Sequence, residues 1–114
     1  MHEVSIALSL LDIVEKKCQE EGFSSVESVR VQVGGASGIL PAAFAFAFDA
    51  VKKGSLASDA KFIIDVVPLG GFCNGCKSHF EMEGAFVLEC PICASHSFRV
   101  DKGHELQIVE MEVN

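Results

Sequence analysis

The chain has 114 residues, with 9 Lys plus Arg against 16 Asp plus Glu and a formal net charge of −7. This length allows one domain, or one domain with a small satellite, but not two full hydrophobic cores. A hydrophobic content of 49% with nine Phe excludes disorder as the dominant state. The acidic balance argues against a nucleic-acid backbone or an anionic membrane surface as the main partner.

The sequence contains no predicted transmembrane helix, because Gly residues and Pro41 interrupt its uncharged stretch at 33–48. Glu3 stands where an export signal carries basic residues, so no such signal is predicted. We therefore expect a cytoplasmic protein, in which thiols stay reduced. Five Cys, an odd number, also fit poorly with a closed disulfide framework.

Apolar periodicity predicts a helix over residues 4–21 and a half-buried strand over 28–33. The helix pattern ends at Gly22, and Cys18 is expected to be a small core residue on its apolar face. The apolar positions at helical spacing are Ala7, Leu10, Leu11, Val14 and Cys18.

A glycine-rich loop at 34–38 precedes Pro41, which suits the first turn of a second helix that ends near Gly54. Residues 61–67 predict a second strand, ended by Pro68 and the glycines that follow it.

A cysteine-rich segment covers 72–98, and the tail at 105–113 predicts a third strand. The apolar phase of the tail shifts between Ile108 and Val109, which indicates a β-bulge.

This order of elements predicts an α+β fold, in which a small three-stranded sheet carries two helices on one face. The expected domains are an α+β domain made of 1–69 and 99–114, and an inserted zinc-ribbon-like domain with four cysteine ligands at 70–98.

The insert contains two C-x-x-C pairs separated by thirteen residues. Each pair can form a tight knuckle whose backbone amides point at the sulfurs, and two knuckles together present the tetrahedral thiolate set that Zn²⁺ prefers. The Asn-Gly dipeptide of the first pair tolerates positive φ at its turn. The pairs are Cys73-Asn74-Gly75-Cys76 and Cys90-Pro91-Ile92-Cys93.

A structural zinc site is the favoured interpretation of these cysteines. A thioredoxin-like redox pair belongs at the start of a helix beside a parallel sheet, and disulfides suit an oxidising compartment. The pattern C-x-x-C-x-x-H occurs twice, which adds His79 and His96 as alternate ligands or as donors outside a four-cysteine site.

The N-terminal triplet Met1-His2-Glu3 is a second candidate metal site. The terminal amine of Met1, the amide nitrogen of His2 and its imidazole can close adjacent chelate rings, with Glu3 as a further donor. Such nitrogens suit a square-planar ion, Ni²⁺ or Cu²⁺. A histidine at a disordered terminus is the alternative.

Several motifs in this order resemble the HypA/HybF family of hydrogenase-maturation nickel chaperones, over essentially the whole chain. A Gly often follows each C-x-x-C in that family, whereas here Lys77 and Ala94 do. The motifs are Met1-His2-Glu3 opening a helix, Gly35-Ala36-Ser37-Gly38 before Pro41, Phe46-Ala47-Phe48, the double C-x-x-C, and Gly103-His104-Glu105-Leu106.

The resemblance implies Ni²⁺ as cargo at His2 and its neighbours, with a structural Zn²⁺ on Cys73, Cys76, Cys90 and Cys93. It also implies delivery of nickel to the precursor of the [NiFe]-hydrogenase large subunit, together with the nickel-handling GTPase HypB, and for some members a part in urease maturation. The open edge of the predicted sheet would accept a partner or a second copy.

No acid–base pair stands out among the side chains, which favours a binding protein over an enzyme. The alternative to a nickel metallochaperone is a zinc-ribbon protein-interaction module with a structural metal only. A zinc enzyme is disfavoured, because four thiolates close the coordination sphere.

Overall fold

Two helices and six strands form in the part of the chain that the computed structural model describes, residues 2–114, with His2 described by its backbone alone. None of these helices is long and apolar enough to cross a membrane. The elements are α1 (His2–Glu21), β1 (Val26–Gly34), α2 (Pro41–Val51), β2 (Lys61–Val67), β3 (Leu69–Cys73), β4 (His79–Met82), β5 (Phe98–Lys102) and β6 (Leu106–Val113).

The first sheet has the order β2-β1-β6, with β1 parallel to β2 and antiparallel to β6. Alternation along β1 buries Val29, Val31 and Val33 on one face, whereas Arg30 on the opposite face pairs with Asp65 at 2.8 Å. Both helices cover the valine face, so the predicted α+β arrangement is confirmed.

The predicted bulge in the tail strand is confirmed. Arg30 pairs with Glu110 and Val31 pairs with Ile108, which leaves Val109 as one extra residue in β6. The extra residue keeps Ile108 and Met111 on the same face, where both pack against the core. A phase shift in the apolar pattern therefore marked a real irregularity of the backbone.

The main core lies between α1, α2 and the first sheet, and phenylalanines join α2 to β2. The Phe62 ring stacks on Phe48 at 4.3 Å and meets Phe44 edge-on at 5.1 Å. Cys18 is fully buried on α1, as its apolar face predicted. Its pKa is raised by burial and secondarily by Glu15, which makes it a poor thiolate at neutral pH.

The second sheet, with the order β4-β3-β5, is antiparallel and has a separate small core. We call β3, β4, β5 and the segments between them the cysteine lobe, and the remaining elements the core lobe. The radius of gyration is 17.3 Å, against about 13 Å for a compact domain of this length. The molecule is therefore elongated, with one sheet in each lobe.

Backbone hydrogen bonds join the lobes at the loop after β1. The Gly35 N–H donates to the Val67 carbonyl at 2.7 Å, and the Ala36 N–H donates to the Gly103 carbonyl at 2.8 Å. The Val67 carbonyl lies where the chain enters the cysteine lobe, and the Gly103 carbonyl lies where the chain leaves it. The loop therefore hydrogen-bonds to both connections between the lobes.

Candidate metal centre

The four cysteines of the two C-x-x-C pairs come together in the cysteine lobe, with all four sulfurs within 4.8 Å of one another. The Cys73 and Cys93 sulfurs are 3.6 Å apart, and those of Cys76 and Cys90 are 3.9 Å apart. A tetrahedral Zn²⁺ with bonds of about 2.3 Å needs sulfur–sulfur separations of about 3.8 Å. The cluster therefore fits a tetrahedral thiolate metal site.

Each pair forms the expected knuckle. The Gly75 N–H donates to the Cys73 sulfur at 3.2 Å, and the Ile92 N–H donates to the Cys90 sulfur at 3.4 Å. These bonds favour the thiolate form of the first cysteine in each pair, which is the form that binds a metal.

The left-handed residue of each knuckle follows the second cysteine, at Lys77 with φ 59° and Ala94 with φ 64°. The expectation of positive φ at Asn74-Gly75 is wrong. Gly75 is needed for a different reason, because a Cβ there would lie 2.8 Å from the Ser95 Cβ of the other knuckle. Close packing of the knuckles, not the dihedral angle, excludes a side chain at this position.

In each knuckle, a serine carbonyl accepts a backbone hydrogen bond from the first cysteine. The Cys73 N–H donates to the Ser78 carbonyl, and the Cys90 N–H donates to the Ser95 carbonyl, each at 2.9 Å. The cysteine spacing alone does not point to these serines, although the repeat contains them: C-x-x-C-x-S-H occurs at both pairs.

Burial differs among the four cysteines. Cys73 and Cys90 are buried, Cys76 is half-buried and Cys93 is exposed, so the site faces solvent on the Cys93 side.

The clustered thiols differ strongly in acidity. A backbone hydrogen bond from Cys76 lowers the pKa of Cys73 to about 6, assisted by bonds from Cys93 and Gly75. The Ser95 backbone bond lowers the pKa of Cys93, but desolvation and hydrogen bonds with the other three thiol groups outweigh it and raise the pKa to about 11. All four sulfurs could be thiolates together only with a bound cation to balance their charge.

Comparisons with known proteins agree over the full length. Residues 1–113 match the family model described as "Hydrogenase/urease nickel incorporation, metallochaperone, hypA". The chain belongs to the HypA family. The maturation factor HypA of Geobacter metallireducens is 37% identical and that of Methylocella silvestris 36%, each over 113 residues and 99% of both chains.

A solved structure shares the fold. The solution structure of the Ni metallochaperone HypA from Helicobacter pylori matches with a TM-score of 0.68 and 24% identity, over 97% of this chain and 96% of that one. The architecture of the chain is thus that of HypA, with two helices, two small sheets and a cysteine cluster that can hold a metal.

The two histidines after the knuckles of this HypA-family chain are exposed. The His79 ring meets the Phe72 ring edge-on at 5.1 Å. Among residues 3–114, whose side chains the structure describes, the only group of three or more potential metal ligands is the four cysteines, without His79 or His96.

The N-terminal site falls partly outside the described residues, which exclude Met1 and the side chain of His2. The first helix begins at His2, two residues before its predicted start. Glu3 lies in its first turn, where its carboxylate accepts a hydrogen bond from the Leu40 N–H at 3.4 Å. This contact links the beginning of α1 to the residue before α2.

Proposed function

We propose that this HypA-family chain binds Ni²⁺ at its N-terminus and delivers it for the maturation of [NiFe]-hydrogenase. The observation that carries this proposal is the whole-chain family match, joined to the triplet Met1-His2-Glu3 at the beginning of α1. The proposed ligands are the amine of Met1, the amide and imidazole nitrogens of His2, and Glu3.

The helix start supports nickel binding by a backbone nitrogen. The first turn of an α-helix leaves its N–H groups without an acceptor inside the helix. The amide nitrogen of His2 is therefore outside the helical hydrogen-bond ladder. Its deprotonation and use as a ligand would break no hydrogen bond of α1.

The second part of the proposal is a structural Zn²⁺ on Cys73, Cys76, Cys90 and Cys93. Their sulfur separations fit zinc, and four thiolates leave no coordination position for substrate. Bound zinc would hold the two knuckles together in a lobe with few buried side chains. His79 and His96 would act outside the first coordination sphere.

The two metals would be separated by ligand type. Four thiolates suit Zn²⁺, whereas amine, amide and imidazole nitrogens suit square-planar Ni²⁺. A cargo site with few, accessible ligands can release its ion, and a closed thiolate site retains it. We further propose a non-catalytic protein that works in the cytoplasm, with the domains 1–69 plus 99–114 for nickel and 70–98 for zinc.

The proposed partners follow from the family. They are the GTPase HypB and the large-subunit precursor of a [NiFe]-hydrogenase, and the family description also names urease. The relatives in Geobacter metallireducens and Methylocella silvestris are named hydrogenase maturation factors, which favours hydrogenase as the recipient.

Calorimetric Ni²⁺ titration of the untagged, zinc-loaded chain tests the nickel site. We expect one strong site in the native chain, and its loss both in His2→Ala and in a chain with one extra N-terminal residue, because each change breaks the chelate rings. His104→Ala, which removes an exposed histidine far along the chain, is the matched control and should bind as the native chain does.

The outcomes separate the candidate functions. Unchanged binding in His2→Ala would refute the N-terminal site. Absence of any Ni²⁺ site, with zinc retained, would favour a protein-interaction module that carries a structural metal only. The visible absorption of Co²⁺ bound in place of zinc would report the cysteine site in the same samples.

A further inference from the structure

The first knuckle contains a dipeptide that can react with itself. Asn74 and Gly75 lie between its two cysteines, and both residues are exposed. Asparagine is one of the chemically labile residues of proteins. A following glycine has no side chain, so its backbone nitrogen reaches the asparagine side-chain carbon with little steric hindrance. The sequence has one other asparagine, Asn114, which is its last residue.

Packing between the knuckles requires the glycine of this dipeptide. A Cβ on Gly75 would lie 2.8 Å from the Ser95 Cβ, 2.9 Å from the Ser95 hydroxyl oxygen and 3.5 Å from the Cys73 sulfur. The corresponding residues of the second knuckle are Pro91 and Ile92, which have no carboxamide. The reactive dipeptide therefore occurs in one knuckle only, and close packing there excludes a larger and less reactive neighbour for the asparagine.

Hydrogen bonds of the folded knuckle hold both residues away from this reaction. The Gly75 N–H donates to the Cys73 sulfur at 3.2 Å, and the Asn74 N–H donates to the Ser97 carbonyl at 2.8 Å. The Asn74 side-chain amide donates to the Ser97 hydroxyl at 3.4 Å. Attack by the Gly75 nitrogen has to break its bond to sulfur, because the nitrogen gives up the proton that this bond holds.

The knuckle itself depends on a lobe with little packing of its own. The cluster of the cysteine lobe contains three buried side chains, of which Cys73 and Cys90 are proposed zinc ligands. Bound metal therefore supplies a large part of the free energy that keeps the knuckle closed. When the metal is absent, local opening releases the Gly75 N–H from the sulfur.

We propose that Asn74 is a site of spontaneous deamidation, which bound metal suppresses and loss of the metal permits. The iso-aspartate that forms at position 74 weakens zinc binding, so a chain that stays without metal progressively loses the ability to take it up. The proposal rests on the structural zinc site proposed above, since zinc is the ion that closes the knuckle.

The reaction needs only water besides the chain itself. The Gly75 nitrogen forms a bond to the Asn74 Cγ, the Cγ–Nδ2 bond breaks, and Nδ2 leaves as ammonia with the proton that the Gly75 nitrogen loses. Water then opens the succinimide ring at one of its two carbonyl carbons. Opening at Cγ gives aspartate, and opening at the main-chain carbon gives iso-aspartate, in which the main chain runs through Cγ.

The two products differ in what they do to the knuckle. Iso-aspartate adds one backbone carbon between Cys73 and Cys76, which displaces the Gly75 N–H from the Cys73 sulfur. The two sulfurs of the knuckle then lose the separation that a tetrahedral ion requires. Aspartate keeps the backbone unchanged and adds one exposed carboxylate, whose charge is screened by solvent.

Deamidation rates of the zinc-loaded and the chelator-stripped full chain test the proposal, with thiols kept reduced at neutral pH. The tryptic peptide 62–77 contains Asn74 as its only side-chain amide, so the mass of this peptide reports the conversion. We expect zinc to slow deamidation at least about tenfold, and the stripped chain to approach the rate of the chain in urea. Equal rates with and without zinc, or no deamidation of the stripped chain, would overturn the proposal.

Asn74→Gln is the matched control, because it retains a side-chain amide that would have to close a larger and less favourable ring. It should bind zinc as the native chain does, and its peptide should keep its mass over the same period. A mass change at the native rate in this variant would refute Asn74 as the reacting group.

The zinc content of the fresh protein separates the two proposals. A chain that takes up no zinc refutes the structural zinc site and, with it, protection by zinc. A chain that holds zinc but deamidates as fast as the stripped chain refutes the present proposal alone.

Zinc uptake after incubation without metal tests the consequence. Methyl transfer by an isoaspartyl methyltransferase measures iso-aspartate, and this amount should match the fraction of chains that no longer compete with a chelating dye for zinc. Asn74→Asp, which carries the carboxylate without the extra carbon, should bind zinc within about threefold of the native chain. Full zinc uptake by chains with iso-aspartate, or an equal loss in Asn74→Asp, would refute the effect of the lengthened backbone.

Discussion

Lys77 and Ala94 occupy equivalent places in the two knuckles, each directly after the second cysteine and each with a left-handed backbone. This conformation brings the following serine carbonyl back to the N–H of the first cysteine. The left-handed conformation costs an L-residue about 1–2 kcal/mol, whereas glycine adopts it without this cost. The chain thus carries local strain on both sides of its cysteine cluster.

Replacement of Ala94 by Gly should relieve part of this strain. Glycine also loses more backbone entropy on folding, so we expect a net gain of about 0.5–1 kcal/mol. Because metal binding and folding of the lobe are coupled, zinc affinity should rise by about two- to fivefold. Competition with a chelating dye measures the change.

The control for this substitution is Ala85→Gly, at an exposed position of the same lobe without positive φ. It should leave zinc affinity unchanged or lower it slightly. If Ala94→Gly weakens zinc binding as much as Ala85→Gly does, the left-handed conformation of Ala94 does not limit zinc affinity.

Among the elements, those with clear apolar periodicity were the ones that the sequence predicted. The tail strand and its bulge at Val109 followed from the side-chain pattern, because packing against one core face imposes that pattern. Strand β3 was not predicted, because its Gly70-Gly71 was interpreted as the end of the preceding strand. A Cβ on Gly71 would lie 1.9 Å from the Arg99 carbonyl oxygen, so the glycines serve close strand approach.

The position of the site was predictable only in part. Spacing alone identified the four cysteines, because two knuckles are a local feature of the sequence. Gly35 and Ala36 hydrogen-bond to the two connections between the lobes, and their partners are distant along the chain. No local pattern encodes such backbone pairings.

Helix α2 offers a direct test of element packing, because Phe46 and Phe48 differ only in which face they occupy. Phe48 is fully buried and stacks on Phe62, whereas Phe46 is 77% exposed. Phe48→Ala should lower the free energy of unfolding by about 3–5 kcal/mol, and Phe46→Ala should change it by about 0.5 kcal/mol or less. Urea unfolding of zinc-loaded protein measures both.

A comparable loss in the two variants would mean that Phe46 is also covered in solution. A small loss in Phe48→Ala would mean that α2 does not depend on its contact with β2. The two variants have the same change in chemistry, so helix propensity cannot account for a difference between them.

At the scale of the whole molecule, the two lobes differ in how they are stabilised. The core lobe buries a continuous cluster of side chains from α1, β1, α2 and the segment between α2 and β2. Leu69, at the beginning of β3, is buried outside any cluster, and the cluster of the cysteine lobe contains three buried side chains, Cys73, Phe80 and Cys90, with three partly buried neighbours. Two of these three buried side chains are proposed metal ligands, so the stability of this lobe should depend on the metal.

Removal of the metal should therefore unfold one lobe and spare the other. We expect chelation to abolish amide hydrogen-exchange protection in β3, β4 and β5, while β1, β2 and both helices retain it. Cys76→Ser should reproduce this pattern in the presence of zinc, and Cys18→Ser, which removes a thiol from the core lobe, should leave the cysteine lobe protected. Loss of protection throughout the chain on chelation would show that the hydrogen bonds of Gly35 and Ala36 couple the lobes into one cooperative unit.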